Sequence, residues 1–136
     1  MKMDKSKYDS NGKLKNDLFE EHFKDGSLSC VGKYRNGEKT GEWKYYLRNG
    51  LLKAFGKYAN GKLTGKWKWY RENGKLMQTG EFKDEKRVGL WKRYHPNGAL
   101  YDEGEFKDDR MHGKGTYTLK DGTKKKGSFK DGEYVE

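Results

Sequence analysis

Side chains able to do chemistry are few and widely spaced in this 136-residue chain. The three histidines, His22, His95 and His112, do not form the HExxH spacing of a catalytic zinc site. Cys30 is the single cysteine and lacks the local sequence that marks a nucleophile. The segment 113–115, GKG, is too short for a phosphate-binding loop. This inventory predicts a non-enzymatic protein without a cofactor, a metal ion or a small-molecule substrate.

A more informative arrangement is a lysine placed two residues before a tyrosine, which recurs every 24 residues. In a strand these two side chains lie on the same face, so the motif predicts a stripe of ammonium groups beside phenol rings. Such a stripe suits binding to an acidic protein surface. The aromatic side chains would pack against the partner, and the positive charges would attract it and orient its approach. The predicted partner-binding residues are Lys44, Tyr46, Lys68, Tyr70, Lys92 and Tyr94, with Arg35, Lys57 and Arg71 expected nearby.

Two other interpretations of this stripe remain open. The rings could stack on the bases of a single nucleic-acid strand while the lysines meet phosphates, although the stripe is poor in arginine and no nucleic-acid-binding motif is present. The tyrosines could also form a ladder that only stabilises a sheet, with the lysines solvated around it. The sequence alone does not choose between these roles.

The net charge of +10 is concentrated in one part of the chain. Residues 32–79 carry 12 basic and 3 acidic side chains, whereas the segments on either side are nearly balanced. Such an excess attracts acidic proteins, nucleic acids or anionic lipids, and it also serves solubility. We therefore expect a protein partner with an acidic surface, with nucleic acid or anionic phospholipid as the alternative partner.

The elements that position this stripe repeat with a period of 24 residues. A fixed period of this length indicates an array of identical small structural units, whose terminal units are atypical. Phe19 stands where the next unit has Trp43, so the first unit is predicted to be a degenerate cap. The predicted divisions are a flexible tail at 1–7, the cap at 8–31, clear repeats at 32–55, 56–79 and 80–103, a variant repeat at 104–126 and a partial repeat at 127–136.

Each repeat has the pattern of two strands and two turns. Asn60-Gly61 and Asn73-Gly74 are strong turn signals, and the runs 51–59 and 66–71 between turns are rich in aromatic and branched residues. Gly56, one of four glycines spaced by 24, is expected to let an aromatic ring from the next strand lie over the backbone. The prediction is an all-β fold: an elongated, single-layer antiparallel β-meander of stacked hairpins.

Residues 104–132 carry a recognisable variant of the repeat. The segments GEFKDDRMHGKGTY and DGTKKKGSFKDG resemble the MORN repeat, and the units at 32–103, with GxWxxY followed by NGxL, resemble its bacterial variant. This resemblance implies a single-layer β-meander that serves as a binding platform for proteins or acidic phospholipids. The bacterial variant is often described as the antitoxin of a toxin–antitoxin pair, which makes neutralisation of a toxin or effector a further expectation.

The cellular setting follows from what the sequence lacks. No secretory leader or membrane-spanning run is visible, and a single cysteine is typical of a reducing compartment, so a cytoplasmic location is expected. The two ends of an open sheet leave unpaired strand edges. The chain is therefore expected to be a monomer or an end-to-end oligomer.

Overall fold

The computed structural model describes residues 5–118 and 121–135. Within these residues the chain forms one antiparallel sheet in which consecutive strands are neighbours throughout. The predicted all-β, single-layer antiparallel meander is confirmed. The strands are β1 Asp17–His22, β2 Leu28–Arg35, β3 Glu38–Tyr46, β4 Leu52–Ala59, β5 Lys62–Tyr70, β6 Leu76–Lys83, β7 Lys86–Tyr94, β8 Leu100–Lys107, β9 Arg110–Thr118, β10 Lys124–Lys130 and β11 Glu133–Val135.

The segment before the sheet was predicted to be a flexible tail over residues 1–7. Residues 1–4 lie outside the described residues, and Lys5–Lys7 form a short 3-10 turn. The Lys15 backbone N–H donates to the Lys7 carbonyl at 2.8 Å, which connects this turn to the start of the first repeat. No helix within the described residues is long and apolar enough to cross a membrane.

Turns at one end of the strands have two successive residues with positive φ. Asn60 and Gly61, at φ 51° and 77°, connect β4 to β5 as the sequence predicted. This geometry matches the twist of the flanking strands, and Asp84 and Glu85 adopt it without a glycine. The Gly61 N–H also donates to the Lys39 carbonyl of the previous repeat at 3.0 Å, so adjacent turns are bonded to one another.

The core lies on one side of the sheet, here called the tryptophan face. Trp43 and Trp67 are almost fully buried there, at 1% and 2% exposure, although the sheet has a single layer. Each ring lies flat over a glycine of the preceding strand; a Cβ added to Gly56 would come within 2.1 Å of the Trp67 ring. The Trp67 indole N–H donates to the Lys57 carbonyl at 3.0 Å. The predicted packing of rings over the repeating glycines is therefore confirmed.

Aromatic neighbours along the tryptophan face complete the burial of these rings. Tyr58 meets Trp67 edge-on with ring centroids 5.1 Å apart, and Trp69 stacks on Trp67 at 5.9 Å. The edge-on contact recurs one repeat later, where Phe82 meets Trp91 with ring centroids 5.0 Å apart. Aligned aromatic pairs of this kind stabilise a sheet that has no second layer to pack against.

Candidate macromolecule-binding face

The side of the sheet opposite the tryptophan face carries Lys44, Lys68 and Lys92, the lysines of the predicted stripe, and we call it the lysine face. Strand register connects its side chains into one row across successive strands, because residues directly opposite one another in a sheet share a face. From Val31 to Lys92, lysines and uncharged residues alternate in this row, and an acidic residue lies beyond each end, Glu20 opposite Val31 and Glu103 opposite Lys92. In spatial order the row is Val31, Lys44, Phe55, Lys68, Thr79, Lys92 and Glu103.

The middle repeat contains the best-defined part of this row. Phe55 and Tyr70 stack with ring centroids 6.3 Å apart and an interplanar angle of 13°. The Lys68 ammonium lies 6.0 Å from the centre of the Phe55 ring. Both rings are half-buried, whereas Lys68 is exposed, so an ammonium group and two aromatic rings form one accessible cluster. This places Lys68 and Tyr70 on the same face, as predicted for this repeat.

The three lysines of the row differ in their partners. Lys44 lies 3.8 Å from a carboxylate oxygen of Glu42, and Lys92 lies 3.9 Å from one of Glu103. Lys68 forms no ion pair with any of the described residues. Long, solvent-exposed ion pairs contribute little and are screened by salt. Lys68 is therefore the cation most available to an external carboxylate, with Lys44 and Lys92 able to exchange their partners.

The other predicted site residues lie around this row. Lys57 is exposed and sits opposite Glu42 on the neighbouring strand. Arg71 follows Tyr70 and donates from Nη2 to the Tyr94 carbonyl at 2.8 Å, so that part of its guanidinium is already occupied. Arg35 ends β2 and is exposed. Tyr46 and Tyr94 end their strands next to β-bulges and are half-buried.

The tryptophan face also has charged groups, but they are bonded within the chain. Arg93 donates to both oxygens of Asp102, at 2.8 and 2.5 Å, and the Asp102 side chain also accepts from the Thr118 backbone N–H at 2.9 Å. Asp102 is only 3% exposed, and its hydrogen bonds raise the pKa of Arg93. Arg87 is similarly held by Asp109 at 2.7 Å.

These arginines line an open groove of about 740 Å³ on the tryptophan face, together with Trp69, Trp91 and Phe106. Two of the three arginines that line the groove, Arg87 and Arg93, are bonded to carboxylates inside the chain, and the third, Arg110, is exposed. The lysine face instead offers three lysines in one row, and the middle one, Lys68, lies beside two aromatic rings. The lysine face is for this reason the stronger candidate for an acidic partner.

A cluster of tyrosines on the tryptophan face has the properties of a core. The Tyr45 and Tyr58 hydroxyl oxygens lie 2.8 Å apart, and Lys39 donates to the Tyr45 hydroxyl at 3.0 Å. The Lys39 ammonium also lies 4.9 Å from the centre of the Trp43 ring. Burial is the main reason that the pKa values of Tyr45 and Tyr58 are raised, so both phenols are neutral at physiological pH.

The remaining reactive groups are separated from one another. Cys30 is buried and free, and its pKa is raised by burial and by the nearby Glu21 carboxylate. The His95 and Tyr101 rings meet edge-on with their centroids 4.9 Å apart. His112 is separate from this pair and lies on β9. No group of three or more potential metal-ligating side chains occurs in the part of the chain that is described.

Comparison with known protein families agrees with this architecture. The MORN repeat model matches residues 40–51 and 103–124, and the MORN repeat variant model matches residues 63–84 and 87–108. Together these matches cover more than half of the chain. The chain belongs to the MORN repeat family, and it is a repeat scaffold.

More distant comparisons are less informative. A solved structure titled "Crystal structure of GtfA/B complex bound to UDP and GlcNAc" is similar at 12% identity and a TM-score of 0.32. The match covers 82% of this chain and 23% of the other, so this chain spans less than a quarter of that protein's length. No curated protein matches the chain.

Sequence reasoning missed the members of the row that lie between the lysines, and Phe55 is the most important of them. It lies in the row between Lys44 and Lys68, but it belongs to the first strand of a repeat, whereas the Lys-x-Tyr motif belongs to the second. The signal that could have found it is the alternation of β4: Gly56 was already assigned to the core face, so its neighbour had to point to the opposite side.

Proposed function

We propose that this chain is a non-enzymatic MORN scaffold that binds a protein with an acidic surface through its lysine face. The observation that supports this most strongly is the exposed cluster of Lys68, Phe55 and Tyr70. Interface hot spots combine an aromatic anchor with groups that complement the partner's charge. The cluster supplies both, and the adjacent lysines of the row extend it along the sheet.

The concentration of charge supports the same assignment. The excess of basic residues lies in 32–79, which includes the second half of β2 and all of β3, β4 and β5. Farther along the lysine face, Glu103 and Glu105 bring in negative charge. An acidic partner would therefore be directed to the first half of the sheet.

A more specific role is neutralisation of a toxin or effector by occlusion, as an antitoxin or inhibitor. This part of the proposal rests on the resemblance of the units at 32–103 to the bacterial MORN variant, and we place it in the cytoplasm because Cys30 is a free thiol. An open, charged sheet would act by covering the partner's own site, without chemistry of its own.

A second candidate function is binding of nucleic acid or anionic phospholipid by the same face. The Phe55–Tyr70 stack beside Lys68 is the observation that favours it, since paired aromatic rings next to a cation can stack on bases. Salt separates the two candidates. Phosphate-dominated binding falls steeply between low and physiological salt, whereas an interface with buried aromatic anchors retains most of its affinity.

The test compares proteins retained from a cell lysate by the wild-type chain and by the double variant Lys44→Glu/Lys68→Glu. A matched control replaces two exposed lysines outside the row, Lys24 and Lys130, by glutamate, so that the net charge changes by the same amount. We expect a nuclease-resistant protein partner that wild type and control retain at about 150 mM salt and the double variant loses. Equal retention by the double variant would exclude the lysine row as the site.

A further inference from the structure

We propose that the lysine row recognises an acidic amphipathic α-helix that lies across the strands of the sheet. This inference rests on the proposed function, because it specifies the shape of the acidic surface that the row would bind. It is carried by the order of side chains in the row. Lys44, Lys68 and Lys92 lie on β3, β5 and β7, with Phe55 and Thr79 on the strands between them.

The first step is the spacing of the lysines. Neighbouring strands lie about 4.8 Å apart, so lysines on every second strand repeat at about 9.6 Å. Seven residues of an α-helix rise about 10.5 Å, and residues seven apart lie on nearly the same side of it. Acidic side chains in a heptad would therefore meet successive lysines with a difference of about 1 Å per repeat, which a flexible lysine side chain can absorb.

Extended peptides fit the row less well. On a β-strand, residues on one face repeat at about 6.8 Å, so acidic side chains fall out of step with the lysines. A polyproline II helix repeats every three residues at about 9.3 Å, which matches the lysine spacing. Its intervening residues, however, point about 120° away from that face and leave nothing to contact Phe55 or Thr79.

An α-helix does supply a contact at those midpoints. Residues three or four positions after an acidic side chain lie on the same helix face, about 5 Å along the axis. An apolar residue there would meet Phe55 and the Tyr70 ring stacked on it, and a small residue would meet Thr79. The row therefore fits a helix in which acidic and apolar or small residues alternate at spacings of three and four.

The two ends of the row set the length of the helix. Glu103 follows Lys92 and would repel a further acidic side chain; before Lys44, Val31 carries no charge and Glu20 lies beyond it. The basic part thus spans four strand spacings, about 19 Å, which corresponds to about 13 residues of helix. Over two heptads the acidic stripe drifts by about 40°, which stays within the width of one amphipathic face.

The experiment measures fluorescence anisotropy of labelled peptides with the full chain. The first peptide is a helix with glutamates seven residues apart and a leucine between the first two. A second has the same composition with the glutamates moved out of the heptad, and a third is a polyproline peptide with glutamate at every third position. An oligothymidine strand and vesicles containing phosphatidylserine provide the nucleic-acid and lipid arms.

We expect the heptad helix to bind about tenfold more tightly than the second and third peptides. Lys68→Glu should weaken it about tenfold, whereas Lys24→Glu, which changes the charge equally on a distant exposed turn, should leave it within about twofold. Phe55→Ala should weaken binding of the heptad helix. It should not weaken binding of an otherwise identical peptide that lacks the leucine. Unchanged circular dichroism of each variant confirms that the sheet is intact.

Equal binding of the heptad and displaced-glutamate helices would overturn the inference, because charge alone would then explain the affinity. Tighter binding of the oligothymidine strand or the vesicles, with a steep loss in salt, would also overturn it and would favour the second candidate function. The heptad helix could fail to bind while Lys44→Glu/Lys68→Glu still abolishes retention of an acidic protein. In that case the inference about a helical partner is refuted and the proposed function stands. If that double variant also changes nothing, both are refuted.

Discussion

Replacing Gly56 by alanine is predicted to destabilise the sheet strongly. The new Cβ would lie 2.1 Å from the Trp67 ring, whereas ordinary contacts are 3.4–4 Å, so the ring must move by more than 1 Å. Trp67 is 2% exposed and is held by its hydrogen bond to the Lys57 carbonyl and by the edge of Tyr58. Overpacking in a core costs about 1–3 kcal/mol, and loss of that hydrogen bond adds about 1 kcal/mol. We expect a loss of about 3 kcal/mol.

Urea unfolding followed by circular dichroism at the backbone band of the sheet measures this loss, because that band is present in every variant. The same substitution at Gly74, where a Cβ meets no atom within 4 Å, measures backbone strain without a clash; Gly56 has no positive φ, so its loss comes from the clash alone. The Gly74 φ of 84° should cost about 1–2 kcal/mol.

A double-mutant cycle with Trp67→Ala tests the cause. Without the indole ring, alanine at position 56 should be neutral or stabilising by about 0.5–1 kcal/mol, because it restricts the unfolded chain. If Gly56→Ala costs the same with and without Trp67, or costs nothing in the wild-type background, the packing of ring over backbone is not what stabilises this fold.

Three further predictions follow from the charged and phenolic groups of the tryptophan face. Asp102→Ala should lower the free energy of unfolding by about 2–3 kcal/mol in urea titrations, since it removes a buried acceptor from Arg93, although the half-exposed Arg93 keeps access to water. Asp109 has a lowered pKa, chiefly from its hydrogen bond with Arg87; its contribution is therefore present above about pH 4 and lost as the pH falls through its folded-state pKa. The difference in urea midpoint between wild type and Asp109→Asn should accordingly shrink from pH 7 to pH 3. Burial and the Asp102 charge raise the pKa of Tyr117 to about 12, so its contribution to stability should decline above about pH 10, and the ultraviolet titration of wild type minus Tyr117→Phe should show this late-ionising phenol.

The fold could be predicted from the sequence because the same turn residues and the same strand alternation recur in each repeat. Asn60-Gly61 specifies its turn by tolerance of positive φ, and the alternation in β4 and β5 assigns the core side. Asp84-Glu85 shows the limit of that reading, because it forms the same turn without a glycine. Its geometry is imposed by the paired strands and by the bond from the Glu85 N–H to the Leu63 carbonyl of the previous repeat.

The candidate site was less predictable because it depends on neighbours across strands. The Lys-x-Tyr motif looks the same in three repeats, yet Lys44 and Lys92 have carboxylates nearby and Lys68 does not. The carboxylate near Lys44 is Glu42, on the same strand as Lys44, and the one near Lys92 is Glu103, on the strand that follows Lys92. A β-bulge beside each tyrosine also shifts the strand register. The side chains that form one row can therefore be identified only when the strand pairing is known.

Lysine footprinting tests most directly whether the lysine face is the binding surface. An amine-reactive reagent would label the chain with and without the protein that wild type retains and Lys44→Glu/Lys68→Glu does not, and mass spectrometry would report each site. Protection of Lys44, Lys68 and Lys92 with unchanged labelling of Lys24 and Lys130 is the predicted result. Free labelling of the three row lysines in the complex, with protection elsewhere, would contradict the account.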